Sequence, residues 1–193
     1  MVEDVIVLQP NSKSISPQNN VSRAYDHSVE AQMGELLNLT KSISLNVKHS
    51  EIITLKNVLA STLFGSGVIQ RIHSIIHKTT SSLVVVNCNL TPIQQRNLEL
   101  AWECKVIDRT GLILEIFGAR AKTHEGRLQV ELASLSFQRS RLVRSWTHLE
   151  RQRGGAGFLG GPGERQIELD RRQIDSKIKY IKHELDRVIK TRL

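Results

Sequence analysis

The chain has 193 residues, 39% of them apolar and only 4% aromatic, which allows one aliphatic domain with an appendage or two small domains. Its formal net charge of +8 is confined to the C-terminal part: residues 1–119 carry 10 Lys/Arg and 10 Asp/Glu, whereas residues 120–193 carry 17 and 9. Two cysteines, Cys88 and Cys104, without CxxC spacing argue against a disulfide scaffold or a thiolate zinc site, and no apolar run approaches the ~20 residues of a membrane span.

The first residues, MVEDVIVLQPNSK, put acids where a secretory leader needs cations, so a cytoplasmic protein in a reducing compartment is expected. Val5–Leu8 is a short β-branched run, and Pro10–Asn20 reads as a polar loop. Ser28–Lys41 places Val29, Met33, Leu36 and Leu37 at helical spacing, with Asp26 or Ser28 as its cap. Ser42–Ile53 alternates around Ile43, Leu45 and Val47 and predicts a strand. A helix over Gly65–Lys78 aligns Val68, Ile72, Ile75 and Ile76 on one face. Leu83–Cys88 (LVVVNC) has the continuous apolar character of a buried parallel strand. Thr91-Pro92 then supplies a cap and a first-turn proline for a helix ending near Trp102. Lys105–Asp108 is a fourth strand, followed by an apolar helix over Thr110–Ala121 that includes Leu112, Ile113, Leu114, Ile116 and Phe117. Alternating strands and helices predict an α/β unit over 1–121, with a small parallel sheet of about four strands and flanking helices.

The pattern changes over 122–193. Leu128, Leu132, Leu135, Leu142, Trp146 and Leu149 step by 4, 3, 7, 4 and 3. Ile167, Ile174, Ile178, Ile181, Leu185 and Val188 step by 7, 4, 3, 4 and 3. Each is a heptad seam with one position skipped, and the skipped positions hold Arg139 and Arg171. The simplest topology is a long antiparallel two-helix coiled-coil hairpin; pairing of the seams between chains is the other arrangement.

Between the seams, 154–163 holds six of the twelve glycines: Gly154, Gly155, Gly157, Gly160, Gly161 and Gly163. Gly155-x-Gly157-x-x-Gly160 matches a dinucleotide fingerprint in letters only, because that fingerprint needs a strand before it rather than a heptad helix. No GxxxxGK[ST] occurs, so no phosphoryl-transfer centre and no catalytic residue is expected in this chain. Arg151, Arg153, Arg165, Arg171 and Arg172 flank the loop, and guanidinium groups bind phosphate bidentately and stack on bases. With Phe158 and Leu159 at the tip, the set points to RNA contact, against an ordinary turn between solvated basic helices. A basic tail also suits weak association with an anionic membrane surface. Glu164, Glu168 and Asp170 read as charges at a positive helix end rather than as catalytic carboxylates. His73 and His77 share a helical face but lack a third ligand, so no metal is expected. Gly65-Ser66-Gly67 precedes a helix and is a candidate nucleotide or anion site.

These residues carry a resemblance. IDRTGLILEIFGARAKTHEGRLQVELASL and RLVRSWTHLERQRGGAGFLGGPGERQIELDRR, within Val106–Arg172, resemble the N-terminal part of HflX-type ribosome-associated GTPases. TLFGSGVIQRI resembles the family's glycine-lysine-glycine segment, with Ser66 in place of the lysine, and LTPIQQRNLE resembles its next helix. The resemblance implies a GTPase domain, with GTP and Mg2+, that is missing from this chain. It also implies binding to the large ribosomal subunit and its rRNA, splitting or rescue of stalled ribosomes, and a loop reaching the peptidyl-transferase region. Here that loop is Arg153–Gly163. A protein-interaction coiled coil and an ATP-binding regulatory module are the alternatives.

Overall fold

Four parallel strands organise the first part of the chain: β1 (Asp4–Ser12), β2 (Asn46–Leu55), β3 (Leu83–Val86) and β4 (Lys105–Asp108), side by side in the order β2-β1-β3-β4. The computed structural model describes residues 3–12, 28–152 and 162–192, with side chains over 3–11, 28–141 and 169–191. The chain divides into two units, Met1–Ile116 and Phe117–Leu193.

In the first unit the strands alternate with α1 (Val29–Lys41), α2 (Ser66–Thr79), α3 (Pro92–Trp102) and α4 (Arg109–Arg120). Both sheet faces are covered, which is why the central strands are apolar at every position. Val5, Val7, Leu83, Val85 and Ile107 pack with Met33 and Leu36 of α1 and with Leu112 and Ile116 of α4. On the other face, Ile6, Leu8, Val84, Val86 and Val106 meet Ile72 and Ile76 of α2 and Leu98 and Trp102 of α3. The Trp102 indole Nε1 donates to the Ile69 carbonyl at 3.1 Å. Predicted caps form: Ser28 Oγ accepts from Ala31 N–H at 3.2 Å, and Thr91 with Gln94 makes a reciprocal capping box.

Several boundaries move for identifiable reasons. Pro10 lies in β1 rather than in a loop, since β1 pairs β3 only through Leu8 and has a single neighbour, β2, beyond it. An edge position tolerates the missing N–H. The strand predicted over Ser42–Ile53 runs Asn46–Leu55, because Ser42–Ser44 closes α1 with Ser44 at φ 62°. β3 ends at Val86, and Asn87 and Cys88 turn away. Phe117 is exposed on α4, on the side away from Leu112 and Ile116.

The second unit contains α5 (His124–Gln152) and α6 (Pro162–Arg192). Leu128, Leu135, Ile178, Ile181 and Leu185 form its buried core, with Leu132, Ile174 and Val188 packed against them. These are the described members of the two predicted seams. Leu142, Trp146, Leu149 and Ile167 lie outside the described side chains. Thr123, His124 and Glu125 line a common cleft with Glu184, Arg187, Val188 and Thr191, so the start of α5 lies beside the end of α6. Pro162 and Gly163 belong to the first turn of α6, shortening the predicted loop at that end; proline suits this position because the N–H it lacks would have had no helical partner.

Candidate nucleic-acid interface

The second unit is a two-helix scaffold with a polar break in its aliphatic seam. Both arginines at the skipped seam positions reach one carboxylate. Arg139 Nε lies 2.7 Å from Asp175 Oδ1, and Arg171 Nε lies 3.9 Å from Asp175 Oδ2. Asp175 was not singled out in the sequence; its position four residues after Arg171 is the signal that could have found it. Nearby on α5, the Arg141 guanidinium stands over the Phe137 ring, 4.4 Å from its centroid.

Helical periodicity puts positions 172, 179, 183 and 190 of α6 opposite the seam. They are Arg172, Lys179, His183 and Lys190, all exposed, with Tyr180 65% exposed beside them. Arg187 bonds Glu184 at 2.9 Å. An exposed tyrosine among cations can offer a ring to a base and charge to phosphates.

Among the loop residues named from the sequence, only Arg171 and Arg172 have described side chains, and both are exposed. Arg151 lies in α5, and Gly163 and Arg165 in α6, at backbone level. Arg153, Gly154, Gly155, Gly157, Phe158, Leu159, Gly160 and Gly161 lie outside the described residues.

The first unit holds a second polar constellation, at the carboxyl ends of β1 and β3. Asn87 Nδ2 donates to Gln9 Oε1, and Arg109 Nη1 donates to Asn87 Oδ1 at 3.1 Å. Arg109 Nη2 reaches Glu35 at 2.9 Å. The helices leaving β1 and β3 lie on opposite sheet faces here, the topological switch point of an open parallel sheet. Sequence reading missed this set because its members are polar and far apart in the chain. Gly65, Ser66 and Gly67 are exposed at the start of α2, which has no side-chain cap. A Cβ on either glycine would meet nothing within 4 Å, so packing does not require glycine there.

His73 and His77 bring their Nε2 atoms to 3.2 Å, and among the described residues no group of three metal-ligating side chains occurs. Burial, and next the Asp108 charge, push the Cys88 thiol up to about 12; burial, and next Glu99, raise Cys104 to about 11. Neither is a ready nucleophile. Among the described residues no helix is long and apolar enough to cross a membrane.

Comparison with known proteins fits both units. Residues 30–118 match the family described as GTP-binding GTPase N-terminal, and residues 120–193 match GTP-binding GTPase Middle Region. The GTPase HflX of Magnetococcus marinus is 54% identical over 160 residues, covering 83% of this chain and 37% of that protein. GTPase HflX of Escherichia coli is 55% identical over 128 residues, covering 66% and 30%. That of Chlamydia pneumoniae is 38% identical over 188 residues, covering 95% and 40%. The chain thus spans well under half the length of these relatives. Among solved structures, the complex of SsGBP with GDP superposes with a TM-score of 0.66 at 15% identity, over 99% of this chain and 45% of that one. A GTP-binding protein from Sulfolobus solfataricus in complex with GDP gives 0.57 at 16% identity, over 94% and 46%.

Proposed function

Since the chain belongs to the HflX family of GTPases, we propose that it is the part that binds the large ribosomal subunit, while GTP and Mg2+ are handled by a GTPase domain outside it. On this reading α5 and α6 form an antiparallel coiled-coil hairpin whose tip reaches ribosomal RNA near the peptidyl-transferase region. Arg151, Arg153 and Arg165 hold phosphates there, and Gly155–Gly161 with Phe158 fit among bases. Splitting or rescue of stalled ribosomes is the work of the whole protein, in which this chain and its GTPase domain are partners. The observation that carries the proposal is the location of the charge: the whole excess of +8 lies in the unit built as a narrow helix pair. A helix pair with this excess of cations over acids is attracted to a polyanion.

Filter binding to large ribosomal subunits across a salt series tests this. Each phosphate contact contributes a little under one unit of log–log slope. Arg153→Ala with Arg165→Ala should lower affinity and flatten the slope by roughly one to two units. Unchanged affinity and slope would remove the loop assignment.

The aliphatic seam favours a second reading, a protein-interaction coiled coil with solubilising arginines. Binding that survives high salt and RNase would select it. The switch-point cluster favours a third, an ATP-binding regulatory module, which calorimetry with ATP and GTP tests directly. Hydrolysis of either nucleotide by this chain is not expected.

A further inference from the structure

We propose that Asp175 is a positioning residue that sets the axial register of α5 against α6. The functional consequence rests on the rRNA reading above; the register itself does not. A seam of Leu, Ile and Val is poorly discriminating, because each aliphatic knob fits the next hole almost as well. Polar residues at single seam positions are what distinguish one register from another. Here the seam is interrupted once on each helix, by Arg139 and by Arg171, and a carboxylate next to the seam takes the first across the helix pair: Arg139 of α5 meets Asp175 of α6 at 2.7 Å. Arg171, one turn earlier on α6, lies 3.9 Å from the other carboxylate oxygen and holds the group in place.

A slip of one heptad moves α5 by about 10 Å along α6. The same slip would bring Asp175 level with position 132 or 146, and Arg139 level with 168 or 182. The side chains of Arg139 and Asp175 are 47% and 33% exposed, so their pairing adds little stability. Its effect is discrimination: a slip in one direction sets Arg139 level with Lys182 and away from Asp175, so that the seam arginine loses its carboxylate to a like charge.

The test uses the whole chain, with nitroxides on ketone-bearing side chains at positions 138 and 190, leaving both cysteines unmodified. Gln138 and Lys190 are exposed and two heptads out of level, so a one-heptad slip changes their separation by about 10 Å. Native protein should give one distance population by double electron–electron resonance. Asp175→Leu, which removes the carboxylate that Arg139 takes across the pair, should keep its helical circular dichroism and gain a second population shifted by about 10 Å. Asp175→Glu should restore a single population. One unshifted population in helical Asp175→Leu would overturn the proposal, since packing alone would then fix the register. Should the leucine variant fail to fold, Asp175→Asn takes the same measurement under the same two outcomes. Large subunits are absent from this experiment, so its failure is separate from failure of the rRNA reading. With them present, the two-population variant should bind more weakly than native protein although Arg153 and Arg165 are intact.

Discussion

Arg109→Leu should destabilise the α/β unit far more than Glu35→Gln, although the two native side chains are bonded to each other. Arg109 has two partners in different surroundings. Its Nη2 meets Glu35 at 2.9 Å, with the two side chains 35% and 53% exposed. Such a pair contributes about 0–1 kcal/mol. Its Nη1 donates at 3.1 Å to Asn87 Oδ1, and Asn87 is 9% exposed. Removing that donor leaves a buried acceptor without it, which costs about 1–3 kcal/mol. The leucine variant loses both interactions and should fall by about 1–4 kcal/mol. The glutamine variant keeps an oxygen acceptor and should change by less than about 1 kcal/mol. Urea unfolding followed by Trp102 fluorescence, in a Trp146→Phe background, measures both. Equal losses, or a loss below about 0.5 kcal/mol for Arg109→Leu, would refute the claim that the buried amide carries this cluster.

Four further outcomes follow from other parts of the structure. Thr91→Ala removes half of a capping box and should cost about 1 kcal/mol in the same urea assay. Ile181→Ala, at 2% exposure in the helix-pair core, should cost about 2–5 kcal/mol; hydrogen exchange should speed up in α5 and α6 peptides while β1 and β3 peptides keep their protection. Glu51 titrates below its ordinary value because Arg71 bonds it at 2.5 Å, with His49 assisting. A carboxylate depressed in the fold stabilises above its unfolded pKa of about 4.3 and loses that contribution as pH falls through the folded value. Native protein should therefore exceed Glu51→Gln in stability at pH 7, and the gap should close as pH drops below about 4. Finally, Cys88 and Cys104, raised to about 12 and about 11, should react slowly with a disulfide reagent at pH 8, with Cys104 the faster. Both should approach the rate of free cysteine in guanidinium.

Local signals were legible where one short stretch carried all the information. Thr91-Pro92 fixed a helix start, Leu83–Val86 showed burial on both sides, and the two seams identified the residues that became the helix-pair core. Misreadings arose where a distant partner decides. Pro10 looked like a loop residue because its tolerance depends on where β3 ends, about 75 positions later. Ile43 continued the alternation toward Val47, yet belongs to the turn that closes α1. Gln9, Asn87 and Arg109 are individually unremarkable, and only the sheet brings them together. The two arginines could be found as interruptions in a period, but Asp175 is neither an interruption nor part of a motif.

The strand that comes first in the chain occupies an inner position in the sheet. β1 pairs β2 on one side and β3 on the other, so two of the three ladders of the first unit cannot close without it. During synthesis its partners arrive in turn: the β1–β2 pair waits for residue 55, and the β1–β3 pair for residue 86. Until then Val5–Leu8, fully buried in the finished sheet, is an apolar segment with open hydrogen-bonding edges. Folding of this unit therefore waits on residues far along the chain, and until they arrive Val5–Leu8 is open to pairing with other strands.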